Sequence, residues 1–476
     1  MEMAMEKENL TATPIVEIRP NLAQRVEREL GQNVYLCYQC VKCTSGCPMS
    51  EFFDWQPNQI MRALQFGQEE IVLHSVTPWL CAACQTCSTR CPQGLDINGI
   101  MEFLTREALA QGIKPKVPEV AVFNRAFLRQ VRIWGRLYEP GLMVEMKLSK
   151  PRSLFEDLDL YVRMLRKRKV GFFPKMVRPP RRPRPRNVST QAIAYYPGCS
   201  LHSSAKEFDR SARAVCETLD MRMVEPEGWV CCGSSAAHRA DPSDALRLPL
   251  SNLKLMEQSG FAEVTMPCAA CFNRHQAALY EIRHHPQKRQ AMENALDYRF
   301  QDRVRVTTLV QAIDIHAGTT KVSERTIKPL NGLRVACYYG CLMTRPPVVT
   351  GVSHVENPTE MERLLEAAGA EVVDWSYKTT CCGAAHSLTK PEIVIHLSSK
   401  LIREAQKASA DVVAVACPLC HTNLDARQFQ MGLEKPLPVL YFTQLLGLAF
   451  GLTPSQIGLE KNLADPFPLL RSKGFI

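Results

Sequence analysis

The sequence predicts an α/β protein with a helical, cysteine-rich N-terminal domain followed by two tandem, pseudo-symmetric α/β domains. Three observations carry this. First, a set of five cysteines occurs twice in the C-terminal half, as Cys199, Cys231, Cys232, Cys268, Cys271 and as Cys341, Cys381, Cys382, Cys417, Cys420. Second, each set lies among short apolar runs alternating with helical stretches, the pattern of an α/β domain used twice. Third, eight more cysteines fall in two clusters between residues 31 and 112, beside helical patterns.

A chain of 476 residues is long enough for two to four domains with proper cores, so its twenty cysteines are not needed as staples. The opening MEMAMEKENLTATPIVEIRPNL carries acids and no long apolar run, so it does not read as a secretory signal. A reducing cytoplasm is therefore expected, where such spacing means metal ligation. Eighteen cysteines fall into sets; Cys216 and Cys337 are left over.

The net charge of +10 comes from one place: residues 163–186 hold eleven Lys and Arg and no acid, and without them 47 bases face 48 acids. That is a Pro-stiffened solvated linker, or a tether to an acidic partner or anionic lipid, and not a nucleic-acid-binding face. Leu437–Leu452 is too short for a membrane span and contains Pro438, Thr443 and Gln444; it reads as a buried helix entered through Pro438.

In chain order, residues 1–30 form a leader, partly helical around NLAQRVEREL. Residues 31–112 carry CYQCVKCTSGCP and CAACQTCSTRCP, that is Cys37, Cys40, Cys43, Cys47 and Cys81, Cys84, Cys87, Cys91. This C-x-x-C-x-x-C-x-x-x-C-P run is the two-cubane ferredoxin pattern, in which the fourth cysteine serves the other cluster. Cys37, Cys40, Cys43 and Cys91 are expected to hold one [4Fe–4S] cubane, and Cys81, Cys84, Cys87 and Cys47 the second. A pair of zinc sites would instead favour two C-x-x-C hooks each. The 33 residues between Cys47 and Cys81 include NQIMRALQFGQEEIVLH, a helix pair, so this ferredoxin-like core is embedded in a helical domain.

Residues 113–190 are helical and then Pro/Arg-rich. Val122, Phe123, Ala126, Phe127, Val131, Trp134 and Leu137 recur at helical spacing and predict a face packed on the ferredoxin-like part. Residues 191–325 and 326–476 are the two repeats. AIAYYPGCS matches RVACYYGCL, and WVCCGSSAAH matches TTCCGAAH. The stretches LSNLKLMEQSG and LSSKLIREAQKASA read as helices, FAEVTMPC and DVVAVACPLC as the strands after them. The gaps around the Cys-Cys pair are 31 and 35 residues in the first repeat, 39 and 34 in the second. Gly233 and Gly383 let the backbone turn tightly beside the paired cysteines.

At these residues the C-terminal half resembles the cysteine-rich B-type component of heterodisulfide reductase. The N-terminal half resembles the C-type component, and the two together resemble the fused D-type component of the membrane-linked form. The resemblance implies that each five-cysteine set holds a noncubane [4Fe–4S] centre, up to two in all. It implies that the repeat sets these centres face to face with a disulfide between them, and that the catalytic ligands are Cys199, Cys231, Cys232, Cys268, Cys271, Cys341, Cys381, Cys382, Cys417 and Cys420. The activity it implies is that of an oxidoreductase reducing a disulfide to two thiols, the family's substrate being the coenzyme M–coenzyme B heterodisulfide. The other reading is an electron-transfer component of a flavin dehydrogenase, of the anaerobic glycerol-3-phosphate dehydrogenase or glycolate oxidase type, feeding quinone.

No G-x-G-x-x-G fingerprint follows a strand, so neither FAD nor NAD is expected in this chain. Electrons are expected from a flavin-containing or hydrogenase-type partner or a membrane cytochrome. The expected location is cytoplasmic, or peripheral at the inner membrane face through such a partner. His238, His275, His386 and His421 lie near ligand cysteines; each is a backbone-bonded loop histidine or a proton donor, His386 and His421 being the better donors. Arg345 either holds an anionic group of the substrate or closes an ion pair inside the fold.

Overall fold

The computed structural model describes residues 21–149, 157–171, 173–174, 176–177 and 192–476. Most of the expected leader and the Pro/Arg-rich end of the basic segment lie outside the described residues.

The N-terminal domain is helical. Its first helix, Leu22–Leu30, is set at both ends by sequence: the Asn21 side chain accepts from the Gln24 amide, and Gly31 closes the helix at φ 67°. Leu22 and Val26 face a core completed by Ile60, Met61, Leu64, Val72, Trp79, Ile100 and Phe103. The expected helix pair is present as Pro57–Gln65 and Glu69–Leu73, and the longer helix Ile97–Ala110 follows the second cysteine cluster.

The C-terminal half holds two four-stranded sheets, all parallel. The first comprises β1 (Ile193–Tyr195), β2 (Met223–Val224), β3 (Glu263–Met266) and β4 (Arg305–Thr308), in the order β2-β1-β3-β4. The second comprises β5 (Arg334–Tyr338), β6 (Glu371–Val372), β7 (Val412–Val415) and β8 (Val439–Tyr441), in the order β6-β5-β7-β8. The topology is the same twice. β3 and β7 are buried throughout, as strands covered on both faces must be. The expected helices are Pro242–Gln258 and Pro391–Lys407. The sheets share one apolar core. Phe208 stacks on Tyr441 at 4.0 Å between centroids, and Ser211 and Thr443 hydroxyls meet at 2.7 Å.

Two expectations are corrected. The helix Pro118–Trp134 begins on the N-terminal core through Val120 and Ala121, but Ala126, Phe127, Leu128 and Val131 pack on Ala236, Ala237, Ala245 and Leu248 of the first repeat. Periodicity gives a buried face and does not name its partner. Leu437–Leu452 is not one helix: Val439–Tyr441 is taken by the sheet as β8 before the helix Phe442–Ala449. The Val413 amide donates to the Pro438 carbonyl at 3.0 Å, so the missing Pro N–H is placed where the ladder needs only an acceptor.

Candidate metal centre

Both N-terminal cysteine loops use left-handed backbone at residues that are not glycine. Gln39 and Val41 flank Cys40, with φ 63° and 65°; Ala83 and Gln85 flank Cys84, with φ 52° and 62°. Such conformations cost of order 1 kcal/mol each and persist where a tight loop demands them. Cys47 shares a small cavity with Cys81, Cys84 and Cys87. Tyr38 lies in the field of both Cys40 and Cys91. The second triplet is thus brought to Cys47, the fourth cysteine of the other motif.

In the repeats, β1 and β5 deliver Cys199 and Cys341, while β3 and β7 run into Cys268 and Cys417, each heading the helix that carries Cys271 or Cys420. Gly198 and Gly340 hold φ +71°, and a Cβ there would lie 3.0 Å from Cys271 Sγ and 2.9 Å from Cys420 Sγ. Gly233 and Gly383 are also left-handed, but a Cβ on them would meet Ala237 and Leu248, or Leu397, and no cysteine. The sulfurs of Cys232 and Cys271 lie 3.5 Å apart, those of Cys382 and Cys420 3.7 Å. The Cys231 thiol contacts both Cys199 and Cys232. Backbone and amide donors serve the sulfurs: Leu137 N to Cys199 at 3.4 Å, Gly383 N to Cys381 at 3.3 Å, Asn423 Nδ2 to Cys382 at 3.5 Å.

The sets meet end to end. The Cys381 thiol, Thr86 and the Arg345 charge together take the Cys84 thiol down to about 6 against the cost of burial. Cys268 of the first repeat and Cys417 of the second likewise act on one another, Cys268 raised and Cys417 lowered.

A cavity of about 250 Å³ opens beside the second repeat, and all five of its cysteines line it. Among the described residues the first repeat contributes Ser200, Ser204, Ser234, Ser235, Ala269, Ala270 and Arg274 to its wall, and none of its own five cysteines. The facing wall, from the segment between the N-terminal domain and the repeats, is mainly apolar, with Phe123, Phe127, Leu137, Leu142, Met143, Leu160 and Met164, and also carries Glu139, Asp157 and Tyr161. Among the described residues no three His, Cys, Asp or Glu side chains converge as ligands of a single ion. The donor chemistry fits a group larger than one ion: thiols only, room beside five of them, and glycines where a Cβ would crowd the sulfurs.

His386 and His421 are held inside the fold by backbone and side-chain oxygens. His386 is fully buried, with Nε2 2.9 Å from the Leu80 carbonyl and Nδ1 3.1 Å from Thr389 Oγ1; burial takes its pKa down to about 3. His421 is buried with Nε2 3.1 Å from the Val439 carbonyl, and burial likewise lowers it. His275 bonds the Cys271 carbonyl at 2.7 Å. His238 is enclosed as well, and burial lowers it. Arg345 is 2% exposed and holds Glu356 at 2.6 Å, the Thr379 carbonyl at 2.8 Å and Thr86 Oγ1 at 3.1 Å. It is an internal tie between the second repeat and the N-terminal domain, and not a substrate anchor.

Sequence reasoning passed over Gly198, Gly340 and Arg274. The glycines stood in the matched Tyr-Tyr runs immediately before Cys199 and Cys341. Arg274 follows Cys271 by three residues on a helix, the spacing that shares a face.

Comparison with known proteins finds both kinds of cysteine module in this chain. The family described as "Cysteine-rich domain" (CCG) matches residues 193–274 and 335–425, and a 4Fe-4S dicluster domain matches residues 36–96. Over 284 residues the chain is 32% identical to the 8-methylmenaquinol:fumarate reductase membrane anchor subunit of Wolinella succinogenes, 57% of this chain and 97% of that one. Over another alignment of 284 residues it is 26% identical to the B-type component of the ferredoxin/F(420)H(2)-dependent CoB-CoM heterodisulfide reductase of Methanosarcina acetivorans, 57% of this chain and 93% of that one. It is 31% identical over 123 residues to the iron-sulfur C-type component of the CoB–CoM heterodisulfide reductase of Methanopyrus kandleri, 26% of this chain and 64% of that one. No helix among the described residues is long and apolar enough to cross a membrane.

Proposed function

This chain belongs to the CCG cysteine-rich family, as an iron–sulfur electron-transfer protein that fuses the C and B types of heterodisulfide reductase component, and from that premise we propose that it reduces a disulfide to two thiols. The observation that carries the proposal is the cavity with all five cysteines of the second repeat on its wall.

In this reading Cys37, Cys40, Cys43 and Cys91 hold one cubane cluster, and Cys81, Cys84, Cys87 and Cys47 the other. The repeats hold noncubane clusters on their five-cysteine sets. When bound, the clusters supply single electrons and iron for sulfur to approach. Two electrons and two protons convert one disulfide into two thiols. The chain's own part is to order the sets, through Cys84 against Cys381 and Cys268 against Cys417, and to keep water from the cavity with Phe123, Phe127 and Leu142. With His386 and His421 buried against the Leu80 and Val439 carbonyls, protons enter from the cavity side. The electron donor is a flavin-containing or hydrogenase-type partner or a membrane cytochrome. The CoB–CoM heterodisulfide of the named relatives is one substrate of the right class.

A second reading, electron transfer between a flavin partner and a quinone, is favoured by the apolar facing wall of the same cavity and by the quinol-linked Wolinella relative. Anaerobic purification, iron and sulfide counting, and EPR after oxidation with and without a thiol separate the two. About sixteen irons and a thiol-dependent signal support disulfide reduction. About eight to twelve irons with no response to any thiol overturn it in favour of an electron conduit.

A further inference from the structure

Where the N-terminal domain, the first repeat and the second repeat meet, the structure buries two arginines with vacant donors. Arg274 is 2% exposed, and its Nε and Nη2 have no acceptor. Arg239, on the helix Ser234–Ala240, is 4% exposed; its Nη1 reaches the Trp79 carbonyl at 3.4 Å and its Nη2 reaches nothing. Guanidinium stays charged in proteins, so its desolvation must be met by negative charge nearby.

The carboxylate at hand is Glu102, which lies in the field of both arginines and is itself engaged by Asn98 Nδ2 at 3.1 Å. The remaining neighbours are cysteines from three different sets. Arg274 lines the cavity with Cys341, Cys381 and Cys382 and lies in the field of Cys232, and Arg239 acts on Cys81. The arginines therefore sit between the second ferredoxin-like triplet and both five-cysteine sets. The position equivalent to Arg274 in the second repeat, three residues past Cys420, is Asn423, a neutral amide bonded to Cys382 Sγ at 3.5 Å. At this pair of equivalent positions only the first repeat supplies a positive charge.

Resting on the reading that these thiols hold iron–sulfur groups, we propose that Arg274, supported by Arg239, is a charge-balancing residue that sets the reduction potential of the clusters around it. Thiolate-bound clusters are anionic and become more so with each electron accepted. A fixed cation among them favours the reduced state, and Glu102 opposes it.

The test uses the full chain, purified anaerobically, with iron and sulfide counted and each cluster followed by EPR during a redox titration. Arg274→Gln is expected to keep its iron and to shift the reduction equilibrium of a repeat-bound cluster about tenfold towards the oxidised state, about 59 mV for one electron. Arg274→Lys is expected to restore most of that shift, and Glu102→Gln to move the equilibrium the opposite way. If Arg274→Gln loses iron while Arg274→Lys retains it, charge is again what matters and the proposal stands. Full iron with unchanged titration in Arg274→Gln overturns it, as does iron loss in both Arg274 variants. A wild-type chain without repeat-bound iron would instead sink the cluster reading itself.

Discussion

The Cys381 thiol, from the adjacent pair of the second repeat, lowers the pKa of Cys84, the middle cysteine of the second N-terminal triplet, and is itself raised in return. Two sets far apart in the chain therefore act directly on one another. Cys381→Ser is expected to leave the N-terminal domain folded, to remove about four irons, and to stop reductant added at the N-terminal clusters from reaching the first repeat. Freeze-quench EPR reads the order of reduction; unchanged filling of the first repeat's signal would contradict the path.

Gly340 and Gly351 provide a matched pair. Both are left-handed, at φ +71° and +73°, but a Cβ at Gly340 meets Cys420 Sγ at 2.9 Å whereas one at Gly351 meets nothing within 4 Å. Gly351→Ala is expected to cost about 1–2 kcal/mol from backbone strain alone. Gly340→Ala is expected to cost more and to release the second repeat's iron. Denaturant unfolding together with iron counting distinguishes them.

Arg345 joins Glu356, Thr379 and Thr86 across the boundary between the second repeat and the N-terminal domain. Arg345→Met removes charge-assisted bonds worth roughly 1–3 kcal/mol, the lower part applying because Glu356 faces water. Limited proteolysis is expected to separate the N-terminal domain more readily in the variant, while the affinity for any disulfide is unaltered. A large rise in KM would instead return Arg345 to the substrate site.

His386 sets a pH dependence. Its folded pKa of about 3 lies below the ordinary value of 6.5, so the unfolded chain binds the extra proton first as pH falls. Stability is complete above about pH 6.5 and declines by about 1.4 kcal/mol per pH unit as pH falls from there towards about 3. His386→Asn is expected to flatten that decline in denaturant unfolding at about pH 7.5 and about pH 5.5. An identical slope in both proteins would show that His386 is protonated in the native state.

Cysteine spacing and the Tyr-Tyr-Gly-Cys repeat made the doubled α/β architecture legible, because both are local patterns repeated in register. What the sequence left hidden was which side chains near the ligands face the site. Arg345, His386 and His421 were near cysteines in the chain, and the fold uses Arg345 and His386 to dock the N-terminal domain and His421 to hold β8. Arg274 looked like an ordinary helical arginine until three elements closed over it. The partner of the helix Pro118–Trp134 was equally out of reach, since an apolar stripe is the same whether it meets one domain or another.

The bonds from Arg345 to Thr86 and from His386 to Leu80 tie together modules that the named methanogen relatives carry as separate B-type and C-type components. Carried on one polypeptide, these surfaces meet at a high effective concentration, so their association is unimolecular and insensitive to dilution. Electron hand-over between them then needs no encounter step, and the two modules are always made in equal number. Salt or dilution that would part separate chains leaves this junction closed, and kinetic control passes to the arrival of the external donor.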